Sequence, residues 1–291
     1  MDSGSLHYPV MLEKSLEYLA IQPDGIYMDV TAGMGGHTAA IARRLASGFV
    51  IACDRDAESL GIARANTQEL WGRIRFFQGS FSKLPDALRD NGVTHVDGVL
   101  ADLGVSRFQL ASAERGFSLM EDGPLDMRMD RSEELTAADL VNALPEKALA
   151  DLIYELGEER RSRRISRAIV RARPILTTGR LAQVVEEVVP RTGRVHPATQ
   201  TFMALRLKVN RELEELEQFL RIVPERLRSS GRFVVLTFMS TEDRIVKQAF
   251  QALAREGRAR ILTKHVVKPT RAEILANPAS RSAKLRALEQ L

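Results

Sequence analysis

Three glycines in four positions stand between an acid and a histidine in the stretch MDVTAGMGGHT, residues 28–38. Gly33, Gly35 and Gly36 let a backbone turn tightly and approach a ligand, because no Cβ stands in the way. A helix opening behind them offers unpaired N–H groups. Such a turn cradles a dinucleotide, another adenosine-bearing cofactor, or nothing. Asp54 follows Gly33 by 21 positions, where an acid at a strand end accepts both ribose hydroxyls; its alternative role is to cap the next helix. Asp29 separates the cofactor classes. In a dinucleotide site the helix N-terminus faces a pyrophosphate, which a carboxylate repels. The same carboxylate suits a donor carrying an ammonium and a sulfonium, so electrostatics favours S-adenosylmethionine over a nicotinamide. Phe81, ending GSF, is placed to flank an adenine or to join the core. Asp102 ends VDGVLADLG. Methylating an exocyclic amine there needs an acceptor for an N–H, since drawing on it localises the attacking lone pair. The Asp102 carboxylate or the backbone carbonyls after it serve, and in-line alignment supplies much of the rate. Cys53 sits inside a strand, which disfavours a cysteine nucleophile.

These residues need a scaffold that delivers them to one edge. A helix over 8–20, with Leu12, Leu16 and Leu19 on one side, leads into the strand GIYMDV. TAAIARRLA, AESLGIARANTQEL and SKLPDALRDNG then read as helices alternating with the strands GFVIACD, IRFFQGSF and VDGVLADLG. This alternation predicts an α/β fold with a doubly wound parallel sheet, whose ligands bind beyond the carboxyl ends of its strands. After Gly104 the alternation stops. TAADLVNAL, EKALADLIYEL, ERRSRRISRAIVRAR and TGRLAQVVEEVV predict an inserted helical substrate-recognition subdomain over 105–200, which leaves 1–104 and 201–291 as a discontinuous sheet domain. TFMALRLKVNRELEELEQFLRIV predicts one long amphipathic helix, with Phe202, Leu205, Val209, Leu213, Leu216 and Leu220 in a stripe. RFVVLTFM and ARILTKHVV read as the last strands. Phe117, Leu119, Met127 and Met129 make the loop around them a candidate lid, with packing under the inserted helices as the alternative. Phe108 is a candidate for holding an extruded base.

Composition narrows the class. No apolar run approaches the about 20 residues that span a bilayer. MDSGSLHYPVM carries no signal core, and a single cysteine excludes an internal disulfide framework. The five histidines, at 7, 37, 95, 196 and 265, have no metal-ligand spacing. A cytoplasmic protein without a metal, and not bound to a membrane, is expected. The net charge is +4, but 1–150 holds 14 Lys and Arg against 22 Asp and Glu, while 151–291 holds 28 against 16. The basic half suggests a polyanionic partner, and 34 arginines against 8 lysines suit phosphate forks. Arg160, Arg164, Arg167 and Arg171 fall on one face of a predicted helix, and Arg281, Lys284 and Arg286 cluster near the C-terminus. Both groups are candidate RNA phosphate contacts.

HYPVMLEKSLEYL, DVTAGMGGHT, DRD, DLGVS with Gln109, RGFS, DGPLDMRMD, GEER, HPATQTFMALRLKVNREL, EDRIVK and NPASRSAKLR occur in this order along nearly the whole chain. The ordered set resembles the bacterial 16S ribosomal RNA cytosine N4-methyltransferases. That resemblance implies a class I S-adenosylmethionine-dependent methyltransferase with a Rossmann-like sheet, acting on a cytidine in the decoding region of the small subunit. It implies cofactor contacts from Gly35, Gly36, His37, Asp54, Phe81, Asp102 and Gln109. The implied partner is 16S rRNA or the small ribosomal subunit, and a homodimer is admitted. The chain departs from the family pattern at Arg107, Ala111, Met203, Met239 and Thr241, several of them flanking the expected base pocket. Two rival functions keep a related fold: a ribosome-binding assembly factor without turnover, and a nicotinamide-dependent oxidoreductase.

Overall fold

The computed structural model describes residues 9–191, 193 and 195–291; His7 and the first eight residues of the N-terminal stretch read for a signal lie outside the described residues. The chain opens with α1 (Leu12–Leu19), β1 (Ile26–Asp29), α2 (Gly36–Arg44), β2 (Phe49–Asp54), α3 (Ala57–Asn66), β3 (Ile74–Gln78), α4 (Leu84–Asp90) and β4 (Val96–Asp102). A helical run follows: α5 (Arg107–Ala111), α6 (Ala137–Ala143), α7 (Glu146–Gly157), α8 (Ser162–Ala172), α9 (Thr178–Val188) and α10 (Thr199–Val209). It closes with α11 (Glu212–Ile222), β5 (Leu227–Thr237), α12 (Ser240–Arg255), β6 (Ala259–Ile261), α13 (Arg271–Ala276) and β7 (Lys284–Gln290).

The strands form one sheet in the order β3-β2-β1-β4-β5-β7-β6. The first five are parallel, and β7 runs antiparallel to both β5 and β6. Successive side chains of a strand point to opposite faces, so Val99, Ala101, Phe233 and Val235 enter one core while Leu100, Val234 and Leu236 enter the other. With both faces covered, β2 reads as an almost unbroken apolar run.

Two compact units result, 1–104 with 214–291, and 105–213. The second boundary lies beyond the expected 200, because Phe202, Ala204, Leu205 and Val209 of α10 pack in the core of the inserted unit. The single long helix expected there is two. Asn210 donates from Nδ2 to the carbonyls of Met127 (2.7 Å) and Arg206 (2.9 Å) and accepts the Met129 N–H on Oδ1 (2.7 Å). Arg211 then turns left-handed at φ 51°, which ends α10. The candidate lid residues Phe117, Met127 and Met129 are buried in the same core, with Leu119 packed against it; packing under the inserted helices is what the unit uses them for.

The final strand differs from expectation too. ARILTKHVV contributes the three residues of β6 and an isolated bridge from Val267 to Leu285, and the pairing with β5 comes from KLRALEQ. The charge asymmetry between sequence halves does not follow the units. Residues 105–213 hold 18 Lys and Arg against 16 Asp and Glu, and the other unit 24 against 22. Among the described residues no helix is long and apolar enough to cross a membrane.

Candidate active site

The chain leaving β1 stays stitched to both neighbouring strands. The Val30 N–H donates to the Leu100 carbonyl (3.0 Å) and the Ala32 N–H to that of Cys53 (2.8 Å). Gly33 and Gly35 then take φ values of 52° and 89°, a region L side chains rarely enter. A Cβ on Gly35 would lie 3.1 Å from Thr67 Cγ2, and one on Gly36 would lie 2.5 Å from Pro9 Cγ. At 35 and 36, therefore, the protein's own turn and packing already require glycine, without any ligand. The Gly33 N–H is held by Asp54 Oδ2 at 2.8 Å.

Asp54 is not the cap of the following helix. Asp56 performs that role, accepting the N–H groups of Glu58 and Ser59. Asp54 accepts the Asp56 N–H on Oδ1 (2.9 Å) and that of Gly33 on Oδ2, and each oxygen retains a second lone pair for a further donor. Burial pushes its carboxyl up to about 6, against the lowering effect of those two N–H bonds.

Asp29 is fully buried, so it has no surface to offer a ligand, contrary to its expected direct contact. Its Oδ2 accepts from Thr38 Oγ1 (2.7 Å) and its Oδ1 from the Thr31 N–H (3.2 Å). Burial drives its pKa up, opposed by the neighbouring His37. It braces the turn from beneath and adds negative field there. Thr31 also ties β1 to β4, its Oγ1 accepting the Asp102 N–H at 2.6 Å. Sequence reasoning misses Thr31 and Thr38; their only signal is a short polar side chain on either side of the glycines.

His37, also buried, brings Nε2 to 3.6 Å from Asp102 Oδ2. Among the described residues neither ring nitrogen nor Asp102 Oδ1 makes a hydrogen bond of full geometry, although the Asp102 carboxylate and the Val10 backbone both act on the imidazole, and all three atoms are shielded from solvent. Burial alone would lower the imidazole pKa, but Asp102 and Asp29 outweigh it and the net shift is upward. His37 is sealed, while the Asp102 side chain keeps 22% of its surface exposed, so Asp102 is the member of the pair with surface to offer a ligand. Phe81 opens a short turn after β3 and leans on Phe219, ring centroids 5.0 Å apart; it is half-buried and packs against the core on that side. Cys53 is buried and its thiol pKa is pushed far up, as a core residue.

Asp29, Gly33, Gly35, Gly36, His37, Asp54, Phe81 and Asp102 thus gather at the carboxyl rim of the sheet. Gln109 belongs to the inserted unit, where it is buried and its Oε1 accepts the Ser106 N–H (2.9 Å) in a capping box on α5. Phe108, on the same short helix, is half-buried. Arg164, Arg167 and Arg171 are exposed on α8 and Arg160 lies just ahead of it; among the described residues Arg167 alone of these approaches an acid, Glu146 at 3.4 Å. Arg281 is exposed. Arg286 leaves the set of RNA candidates: its guanidinium forks onto Asp243 at 2.6 and 3.1 Å, with both side chains mostly buried. Among the described residues no three His, Cys, Asp or Glu side chains group as a metal site.

Residues 4–291 match the model of the MraW methylase family. The chain is 60% identical over 284 residues to a protein named ribosomal RNA small subunit methyltransferase H from Solibacter usitatus, covering 98% of this chain and 99% of that one. Proteins of the same name from Syntrophobacter fumaroxidans and Koribacter versatilis are 48% and 47% identical, covering 98% and 97% of this chain and 96% and 93% of theirs. The sheet unit has a class I methyltransferase fold, and the chain is a member of the MraW methylase family.

Proposed function

We propose that the protein transfers the methyl group of S-adenosylmethionine to the exocyclic N4 amine of a cytidine in the decoding region of 16S ribosomal RNA, in the cytoplasm. The observation that carries this reading is the part-exposed Asp102 carboxylate, held against buried His37 at the carboxyl rim of the sheet. Family membership and the names of the relatives support the reaction and the substrate class.

The residues fit such a donor. Asp54 has lone pairs free for ribose hydroxyls beside the Gly33–Gly35 turn. His37 and Asp102, with Asp29 behind them, suit the cationic amino-acid end, Phe81 flanks the adenine, and Gln109 adds the contact that the family pattern implies. When bound, the donor supplies an electrophilic methyl on a positively charged sulfur. The protein's own contribution is positional. Asp102 accepts an N–H of the amine, which localises the nitrogen lone pair and aims it along the methyl–sulfur axis. Thr31, by holding the Asp102 N–H, fixes the backbone from which that carboxylate projects. No covalent enzyme adduct is required. Arg160, Arg164, Arg167, Arg171, Arg281 and Lys284 offer phosphate contacts to the RNA.

The test is methyl transfer to small subunits from a strain lacking the enzyme, followed by nucleoside mass spectrometry. N4-methylcytidine is the expected product. Donor binding without incorporation would replace this reading with the assembly factor, and binding of NAD in place of S-adenosylmethionine would replace it with the oxidoreductase.

A further inference from the structure

The segment between β6 and β7 enters the sheet at the catalytic rim. Because β7 is antiparallel to β5, Lys284 at its start pairs with Thr237, and the preceding residue on β5, Leu236, pairs with Asp102 on β4. Two interstrand spacings, about 10 Å, therefore separate the Lys284 backbone from the row that carries Asp102.

This segment is strongly cationic. Lys264, Lys268, Arg271 and Arg281 are exposed, and Lys284 reaches Ser240 Oγ at 3.3 Å. None of the five forms an ion pair among the described residues. The one acid between 262 and 284, Glu273, turns its carboxylate to the Met11 N–H. The surrounding distribution sharpens the point. Within the sheet unit, 1–104 holds 9 Lys and Arg against 13 Asp and Glu, whereas 214–291 holds 15 against 9. The acidic floor made by Asp29, Asp54 and Asp102 attracts a cationic donor and repels a polyanion. A phosphate backbone brought to that floor needs cations close by on the rim, and the β6–β7 segment is where the sheet unit concentrates them.

We propose that the β6–β7 segment is a phosphate-binding rim that grips the RNA strand flanking the target nucleoside, separately from any contact made by the inserted unit. The proposal rests on the reading of the protein as an RNA methyltransferase. It assigns Lys264, Lys268 and Arg271 a role beside Arg281 and Lys284.

The test uses the full chain with Lys268→Ala, Arg271→Ala and Arg281→Ala combined, all at exposed positions. Binding of a single-stranded, cytidine-bearing RNA oligonucleotide is measured across a salt series, beside methyl transfer to unmodified small subunits and calorimetric binding of S-adenosylmethionine. The expected result is a salt slope reduced by about 2, from about 0.7 for each lost contact to a single strand. KM for the subunits should rise at least about tenfold, with kcat at saturation and donor affinity unchanged. Arg89→Ala, at the end of α4 on the opposite rim, is the control and should leave the slope as it is. An unchanged slope and KM in the triple variant would overturn the rim. Absence of RNA binding and transfer by the unsubstituted protein would instead overturn the functional reading, and the rim with it.

Discussion

At Asp102 the carboxylate has one oxygen beside a buried imidazole and the other without a hydrogen-bond partner among the described residues. Removing it as Asp102→Ala should lower kcat by about a hundredfold or more, the usual scale for a positioned acid–base group, while circular dichroism stays native. A second readout is independent of turnover. Asp102 helps hold the His37 pKa above its ordinary 6.5, so NMR titration of the variant should show that pKa fall. A raised imidazole stabilises the fold fully below the ordinary value and loses that contribution as pH climbs through the raised one. The variant should accordingly lose more stability relative to the parent in acid than in alkali, read from denaturant midpoints against pH. Asp54 behaves in the same sense at lower pH. Its folded pKa of about 6 exceeds the ordinary 3.8, so the fold gives up stability as pH rises between those values, while the ionised carboxylate proposed to accept ribose hydroxyls is fully formed only above about 6. Calorimetry of S-adenosylmethionine binding should show affinity increasing as pH rises through about 6, and a flat profile would remove Asp54 from the ribose contact. The sequence exposed these acids by their place at strand ends. It did not expose that Asp29 is sealed off, since the burial depends on Thr31, Thr38 and His37 closing over it.

At the scale of elements, legibility followed the kind of burial each segment has. β1, β2 and β4 were readable because strands covered on both faces are apolar throughout. β7 was not, because KLRALEQ is composed of good helix formers and becomes a strand only through pairing with β5 on one edge and β6 on the other. The break between α10 and α11 was hidden for a similar reason. The apolar stripe continues across it, and the interruption comes from the distant Met127 and Met129 backbone, which Asn210 satisfies from 83 and 81 residues away. Asn210→Ala should strand a buried N–H and a buried carbonyl in the inserted core and cost about 3 kcal/mol, measured as a lower denaturant midpoint with an unchanged m value. A loss under about 0.5 kcal/mol, typical of a surface site, would show that the break is set by Arg211 and its left-handed turn alone.

Over the whole molecule, hydrophobic cores form within separate compact units, one pair of clusters on the sheet's faces and one inside 105–213. Each unit carries a net +2, so the contrast in charge lies inside the sheet unit, between its acidic donor floor and its basic β6–β7 side, and not between the units. The residues assigned to the donor lie in the sheet unit, apart from Gln109. Cooperative unfolding belongs to units with their own cores, and a ligand stabilises only the state that binds it, by about 2.7 kcal/mol at a concentration a hundred times its dissociation constant. Scanning calorimetry of the full chain should therefore resolve two transitions, and saturating S-adenosylmethionine should move the one that belongs to the sheet unit while shifting the other by much less. Asn210→Ala identifies the second, since it should lower the transition of the inserted unit only. If the donor moves both transitions equally, donor binding is not carried by the sheet unit, and the assignment of its residues as the main donor contacts fails.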